Sequence, residues 1–157
     1  MAKKFFIETE RKWLLKNLPN LTPAKAVNII QYFTEGDYRY RRESHTDIKG
    51  EFIYKMKKTS IGEGKSEEVV EEISLKEFWE ATKDCPYIVK KKRYVYPLGN
   101  HNIEIDVFRD MCLMLMEIEV NDLEEELQIP ESIQKYIIKE VTGDPHFSNK
   151  YLSGFVN

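Results

Sequence analysis

The residues able to do chemistry in this chain recur at every second position. In Ile7-Glu8-Thr9-Glu10-Arg11-Lys12-Trp13, residues Glu8, Glu10 and Lys12 fall at i, i+2 and i+4. An extended segment puts such positions on one face. Two carboxylates side by side repel, so the pair is costly unless a cation sits between them. A hard divalent ion, Mg²⁺ or Mn²⁺, suits oxygen ligands of this kind. A solvated acidic strand face is the other reading.

The same spacing returns with the sign changing from strand to strand. Arg39 and Arg41, Lys55 and Lys57, and Lys91 and Arg93 are basic pairs; Glu104 and Asp106, then Glu117 and Glu119, are acidic ones. The intervening positions are mostly apolar or aromatic. Charges sent to water would mix signs to relieve repulsion. Repeated like charges fit a shared cavity instead, with the apolar faces outward and covered by helices that carry Trp79 and Ile137. In such a cavity the acids call for a metal and the bases for a polyanion. Arginine adds forked geometry suited to phosphoryl oxygens. A set of solvated faces remains the alternative.

The elements that must position these residues are strands, about eight of them in mostly sequential hairpin order. They read as residues 3–13, 28–34, 38–43, 51–58, 67–73, 87–96, 102–109 and 113–121. Thr22-Pro23 reads as a cap and first turn for a short helix over Ala24–Val27. Thr59–Ser66 reads as a mobile loop. Ser74 to Glu77 forms a capping box that opens a helix to about Lys83. Asp122–Leu127 reads as a short acidic helix, and Ile129-Pro130-Glu131 opens a last helix to about Val141. Thr142–Asn157 is a tail with little periodicity. Helices between or after strands, without βαβ alternation, exclude a doubly wound fold. The fold class expected is mainly β (α+β), a closed antiparallel eight-stranded barrel with a charged interior.

The chain has 157 residues, enough for one domain, taken as residues 1–157. Charged residues make up 32% and the formal net charge is −3, which argues against general nucleic-acid binding. The run Lys90-Lys91-Lys92-Arg93 is split between two faces by the same alternation. No run approaches the roughly 18 apolar residues of a membrane span, and no secretory signal is visible. Cys85 and Cys112 lack metal-ligand spacing and suit a reducing, cytoplasmic setting. His45, His101 and His146 share no ligand spacing and read as turn or tail residues.

Taken in order, the motifs resemble those of the triphosphate tunnel metalloenzymes, the CYTH superfamily of class IV adenylate cyclase and thiamine triphosphatase. Glu8, Glu10 and Lys12 resemble its E-x-E-x-K, and Arg39-Tyr40-Arg41 its R-x-R. Phe52–Lys57 is similar to a strand ending in a tunnel lysine, which would be Lys57. Lys91-Lys92-Arg93 resembles K-x-R, Glu104-Ile105-Asp106-Val107-Phe108 the strand with Asp before Phe, and Met116–Glu119 the late E-x-E. Glu140 to Asp144 with Ser148-Asn149 resembles the end of the small bacterial members. One strand departs: Val70 separates Glu68 from Glu72, and Ser66 stands where an Arg is expected, with Lys65 as a substitute.

The resemblance implies a tunnel that binds a triphosphate, with Mg²⁺ or Mn²⁺ bridging it to glutamates. Glu8, Glu10, Glu117, Glu119 and Asp106 would bind metal. Lys12, Arg39, Arg41, Lys55, Lys57, Lys91 and Arg93 would bind phosphate. Glu72 or Glu104 would orient the attacking water, with Lys12 assisting. Three functions follow from it: hydrolysis of a small triphosphate (tripolyphosphate, ATP or thiamine triphosphate), cyclic AMP formation from ATP, or nucleotide or polyphosphate binding without turnover. No nucleic-acid or membrane partner is expected, and a homodimer is left open.

Overall fold

The computed structural model describes residues 3–155. Nine strands account for most of them: β1 (Lys3–Leu15), β2 (Lys25–Phe33), β3 (Tyr38–His45), β4 (Glu51–Gly62), β5 (Lys65–Glu72), β6 (Ile88–Leu98), β7 (His101–Phe108), β8 (Met114–Glu119) and β9 (Ile137–Glu140). The helices are short: α1 (Leu75–Thr82), α2 (Glu131–Gln134) and α3 (Asn149–Leu152). Strand order is β5-β4-β3-β2-β6-β7-β8-β1, and β1 pairs back onto β5, so eight strands close into an antiparallel barrel. The ninth, β9, adds to β1.

The first strand makes the closure possible because it is long. Lys3–Thr9 pairs with β5, Glu10–Leu15 with β8, and Trp13–Leu15 also with β9. The expected alternation then separates two surfaces. On β7 and β8, Ile103, Ile105, Met116 and Ile118 point outward and are at most 1% exposed. They join Trp13, Leu15 and Tyr96 beneath Leu123, Leu127, Ile129 and Ile133. Each such side chain contributes about 1.5–3 kcal/mol on burial, which offsets the cost of charges turned inward. A second apolar cluster, Phe33, Val89, Phe108, Leu115 and Val141, fills one end of the barrel with Phe147, Leu152 and Phe155 from the C-terminal segment. That segment therefore closes one end.

Several local expectations are corrected. Ala24–Val27 is not helical; Lys25–Phe33 is one strand, with Ala26 and Val27 opposite Tyr94 and Arg93. Eight paired positions along β6 outweigh a cap signal worth about 1 kcal/mol. Thr59–Ser66 is no loop: β4 runs to Gly62 and β5 begins at Lys65. Gly64 (φ +64°) makes that turn against β1, where an added Cβ would lie 2.7 Å from the Glu10 carbonyl oxygen. Asp122–Leu127 is turn and irregular chain, with Leu123 and Leu127 docked on the outer face. The last helix is the single turn α2; Ile137–Glu140 is strand because β1 offers an open edge beyond β5. Ser74 caps α1 as expected, its hydroxyl accepting from the Glu77 amide at 3.1 Å. On α1 the buried residues are Phe78, at 0% exposure, and Thr82, while Trp79 is 46% exposed. The tail holds a 3₁₀ turn, Pro145–Phe147, and α3; its positions 156–157 lie outside the described residues.

Candidate active site

Register decides which charges meet. Arg39 faces Met56 and Arg41 faces Tyr54 across β3–β4. Directly opposed residues share a face, so the lysine on that face is Lys58. It stands opposite Glu68 on β5 and binds Glu8 Oε1 at 3.2 Å. Lys55 and Lys57 are corrected to the outer face, their Nζ atoms 4.5 and 5.4 Å from the Tyr38 ring centre. The expected tunnel lysine is displaced by one residue because the pairing of Met56 with Arg39 turns the even positions of β4 inward.

The interior has two walls of opposite sign. Glu8 and Glu10 on β1, Glu68 on β5, Glu104 on β7 and Glu117 on β8 face Arg39 and Arg41 on β3, Lys58 on β4, and Lys91 and Arg93 on β6. Lys12 completes the lining, with Gln31, Met56, Ser148 and Asn149. The narrow section encloses about 130 Å³. It widens to a mouth of about 450 Å³ lined by Lys4, Phe6, Arg41, Glu43, Tyr54, Met56, Val70 and Glu72. Glu72 thus stands at the mouth. Glu119 is exposed and lies with Glu104 beside Asn100 and His101.

Deep in the barrel the charges pair. Arg93 grips Asp106 with Nε to Oδ1 at 2.7 Å and Nη2 to Oδ2 at 2.9 Å. Lys91 Nζ is 2.8 Å from Asp106 Oδ2 and donates to Asn149 Oδ1 at 2.9 Å. Asp106 is 1% exposed. Both its oxygens are taken and it does not line the tunnel, so its placement among the metal ligands is corrected: it holds two cations in position. Burial pulls the Lys91 ammonium down to about 8 despite Asp106. Arg93 is pushed the other way: burial opposes its charge, but the carboxylates of Asp106, Glu104 and Glu117 prevail.

The acids near the centre are under-compensated. Burial first, then the neighbouring Glu117 carboxylate, holds Glu10 well above the usual carboxylate range. Burial acts in the same sense on Glu117, but Lys12, Arg93 and Lys91 together overcome it and leave Glu117 well below that range. Glu104 is raised chiefly by burial, and Glu119 by burial with Glu8 and Glu68 nearby. Oxygen donors crowded enough to retain a proton match what a hard divalent cation requires. No three carboxylates already converge as a ligand cluster among the described residues.

The two arginines of β3 differ. Arg41 donates from Nη1 to Glu43 at 3.1 Å, whereas Arg39 stacks over Phe33 and its buried Nε has no partner. Burial, then Arg41, lowers the Arg39 guanidinium to about 10. A buried cation without a counter-ion is a site for an anion. His45 is not a turn residue; it ends β3 and its Nε2 lies 2.9 Å from Glu43 Oε1. Sequence reasoning gave no role to Lys58, Gln31, Ser148 or Asn149. Parity along β4 carries the signal for the first; the inward position of Gln31 depends on pairing, and the last two on how the tail folds back.

No family model matches the chain, and no curated protein matches it. Solved structures do. The inorganic triphosphatase NE1496 superposes with a TM-score of 0.59 at 24% identity, covering 96% of this chain and 95% of its own. The PH1819 protein from Pyrococcus horikoshii OT3 gives 0.52 at 16% identity, over 83% and 85%. A conserved hypothetical protein from Pyrococcus furiosus gives 0.51 at 19%, over 82% and 84%. The closed eight-stranded barrel agrees with this likeness, and the chain shares the fold of these structures.

Proposed function

We propose that this protein hydrolyses a small triphosphate, inorganic tripolyphosphate foremost, with Mg²⁺ or Mn²⁺ as cofactor. The observation that carries the reading is the opposition of the two walls: cations on β3, β4 and β6 for phosphoryl oxygens, glutamates on β1, β5, β7 and β8 for a metal. The name of NE1496, an inorganic triphosphatase sharing this fold, supports it.

Arg39, Arg41, Lys58 and Arg93 bind and straighten the phosphate chain, and Lys12 reaches it from the acidic wall. Glu8, Glu10 and Glu117 would hold the cation, with Glu119 and Glu68 near enough to Glu8 to assist. A bound divalent ion supplies charge neutralisation on the phosphoryl oxygens. Phosphoryl transfer asks for positioning and charge compensation more than covalent chemistry. Water adds to the terminal phosphorus, the bridging P–O bond breaks, and diphosphate leaves with the electron pair. Glu104 is suited to take the water's proton, because burial raises its basicity. Glu72, at the mouth, is less well placed.

A second reading is cyclic AMP formation from ATP, favoured by the wide mouth with Phe6, Tyr54, Met56 and Val70, where an organic group would fit. Release of phosphate from tripolyphosphate, ATP and thiamine triphosphate, each with Mg²⁺ and Mn²⁺, separates the readings. Phosphate from tripolyphosphate is expected; cyclic AMP from ATP would favour the second, and no turnover of any would overturn both.

A further inference from the structure

Arg41 is held from behind by residues that the reaction itself does not use. Its Nη1 donates to Glu43 Oε2 at 3.1 Å. The other oxygen of Glu43 lies 2.9 Å from His45 Nε2. Gln31, with its amide oxygen turned to the guanidinium, accepts from Nη2 at 2.9 Å and Nε at 3.1 Å. Gln31 is 1% exposed, and the side chains of Arg41, Glu43 and His45 are 16%, 14% and 14% exposed. Three of the five guanidinium N–H groups are thus engaged behind the residue. The two that remain, one on each terminal nitrogen, form a pair available to phosphoryl oxygens.

The far end of the chain fixes a tautomer. His45 Nδ1 is buried with no partner, and its ring packs edge-on to Phe52 at 5.3 Å. A buried N–H without an acceptor is the more expensive orphan, so the proton belongs on Nε2, donated to Glu43. Glu43 then accepts from both neighbours and cannot rotate without losing one of them. Arg39, two residues earlier, has no such support.

We infer that Gln31, Glu43 and His45 are positioning residues that lock Arg41 as a fixed phosphate clamp, while Arg39 is the adjustable one. The inference rests on the phosphate-binding reading of the tunnel and adds what fixes the position of the chain within it. A pre-set fork loses less freedom when it binds, so the relay acts on affinity.

The test compares wild type with Glu43→Gln, His45→Leu and His45→Gln, all checked for retained fold by thermal melting. Glutamine at 43 cannot accept from both neighbours; glutamine at 45 keeps a donor on a side chain of similar reach. Tripolyphosphate affinity by calorimetry, and KM for its hydrolysis, should worsen about tenfold in Glu43→Gln and His45→Leu. In both, kcat should stay within about twofold, and His45→Gln should recover most of the loss. In an Arg41→Lys background Glu43→Gln should cost nothing further. Equal affinity in all folded variants would overturn the relay, as would an equal penalty with and without Arg41. Nitrogen-15 exchange at the arginine Nε–H groups reads the lock without ligand. The Arg41 signal should exchange slowly in wild type and fast in Gln31→Leu, which removes the acceptor of that N–H, and fast exchange in wild type refutes the lock. Tight binding without hydrolysis would instead refute only the hydrolase reading.

Discussion

Glu10 and Glu117 stand on the paired strands β1 and β8, within the one acidic wall, and the charge of Glu117 adds to burial in raising the Glu10 carboxyl. Lys12, Arg93 and Lys91 hold Glu117 in its charged form, so the proton that the crowding retains belongs to Glu10. The pair is a strained arrangement in the free protein and a ready ligand set for a cation.

Glu10→Gln should therefore abolish turnover and stabilise the fold. With its folded pKa raised above the unfolded one, Glu10 contributes stability below about pH 4.5, and the contribution is lost as pH rises through the folded value. The advantage of Glu10→Gln should grow with pH across that window, to about 1 kcal/mol or a few degrees of melting temperature. Melting curves from pH 4 to 8 check this; a variant less stable than wild type at pH 7 refutes it. Chelation of divalent metal should abolish phosphate release by wild type, and adding Mg²⁺ back should raise the melting temperature of wild type more than that of Glu10→Gln.

Arg39 and Arg93 should respond oppositely to methionine. Arg39→Met removes an unpartnered buried charge, so stability should hold or improve while tripolyphosphate affinity falls at least tenfold. Arg93→Met leaves Asp106 buried beside Lys91 alone, a loss of about 3–5 kcal/mol. Denaturant melts and calorimetry on both variants separate the loss of a ligand contact alone from the loss of a buried ion pair.

Lys58→Met should lower kcat/KM for tripolyphosphate by more than tenfold, whereas Lys57→Met should leave it within twofold. Lys58 contacts Glu8 inside the tunnel and Lys57 covers Tyr38 outside. Steady-state kinetics showing the reverse order would move the β4 register by one residue.

Lys91 has its ammonium lowered from 10.5 to about 8 by burial. Between those two values the unfolded chain binds a proton that the folded one does not. Stability should then rise with pH across that window relative to Lys91→Met. Tripolyphosphate would restore the charge, so binding at pH 9 should take up a proton that binding to Lys91→Met does not. Calorimetry in buffers of different ionisation enthalpy measures the uptake; its absence at pH 9 counts against Lys91 as a phosphate ligand.

The faces of the strands were legible because side-chain alternation is local: Glu104 with Asp106, and Ile103 with Ile105, needed only period two. Where the face points was legible through the charge pattern on β1, β3 and β6, but on β4 the paired charges Lys55 and Lys57 lie outward. What failed depended on pairing. Ile137–Glu140 has helical spacing to Ile133, yet an open edge of β1 more than a hundred residues away recruits it as a strand. Lys57 and Lys58 are adjacent, and only the register of β4 with β3 selects between them. Asp106 carries the same charge as the metal candidates, and only its contacts with Lys91 and Arg93 separate it from them.

The placement of β1 has a consequence for how the chain is made. β1 finds its partners far along the chain, at residues 65–71, 114–119 and 137–140. Until the last of these has emerged, β1 has an unpaired edge, and Phe5, Phe6 and Ile7 stay 47–61% exposed even in the finished fold. Barrel closure pairs β1 with strands far along the chain, the kind of long-range contact that folds slowly and leaves hydrophobic strand open to other chains meanwhile. The edges of β1 are therefore covered only once residues 65–71 and 114–140 are in place.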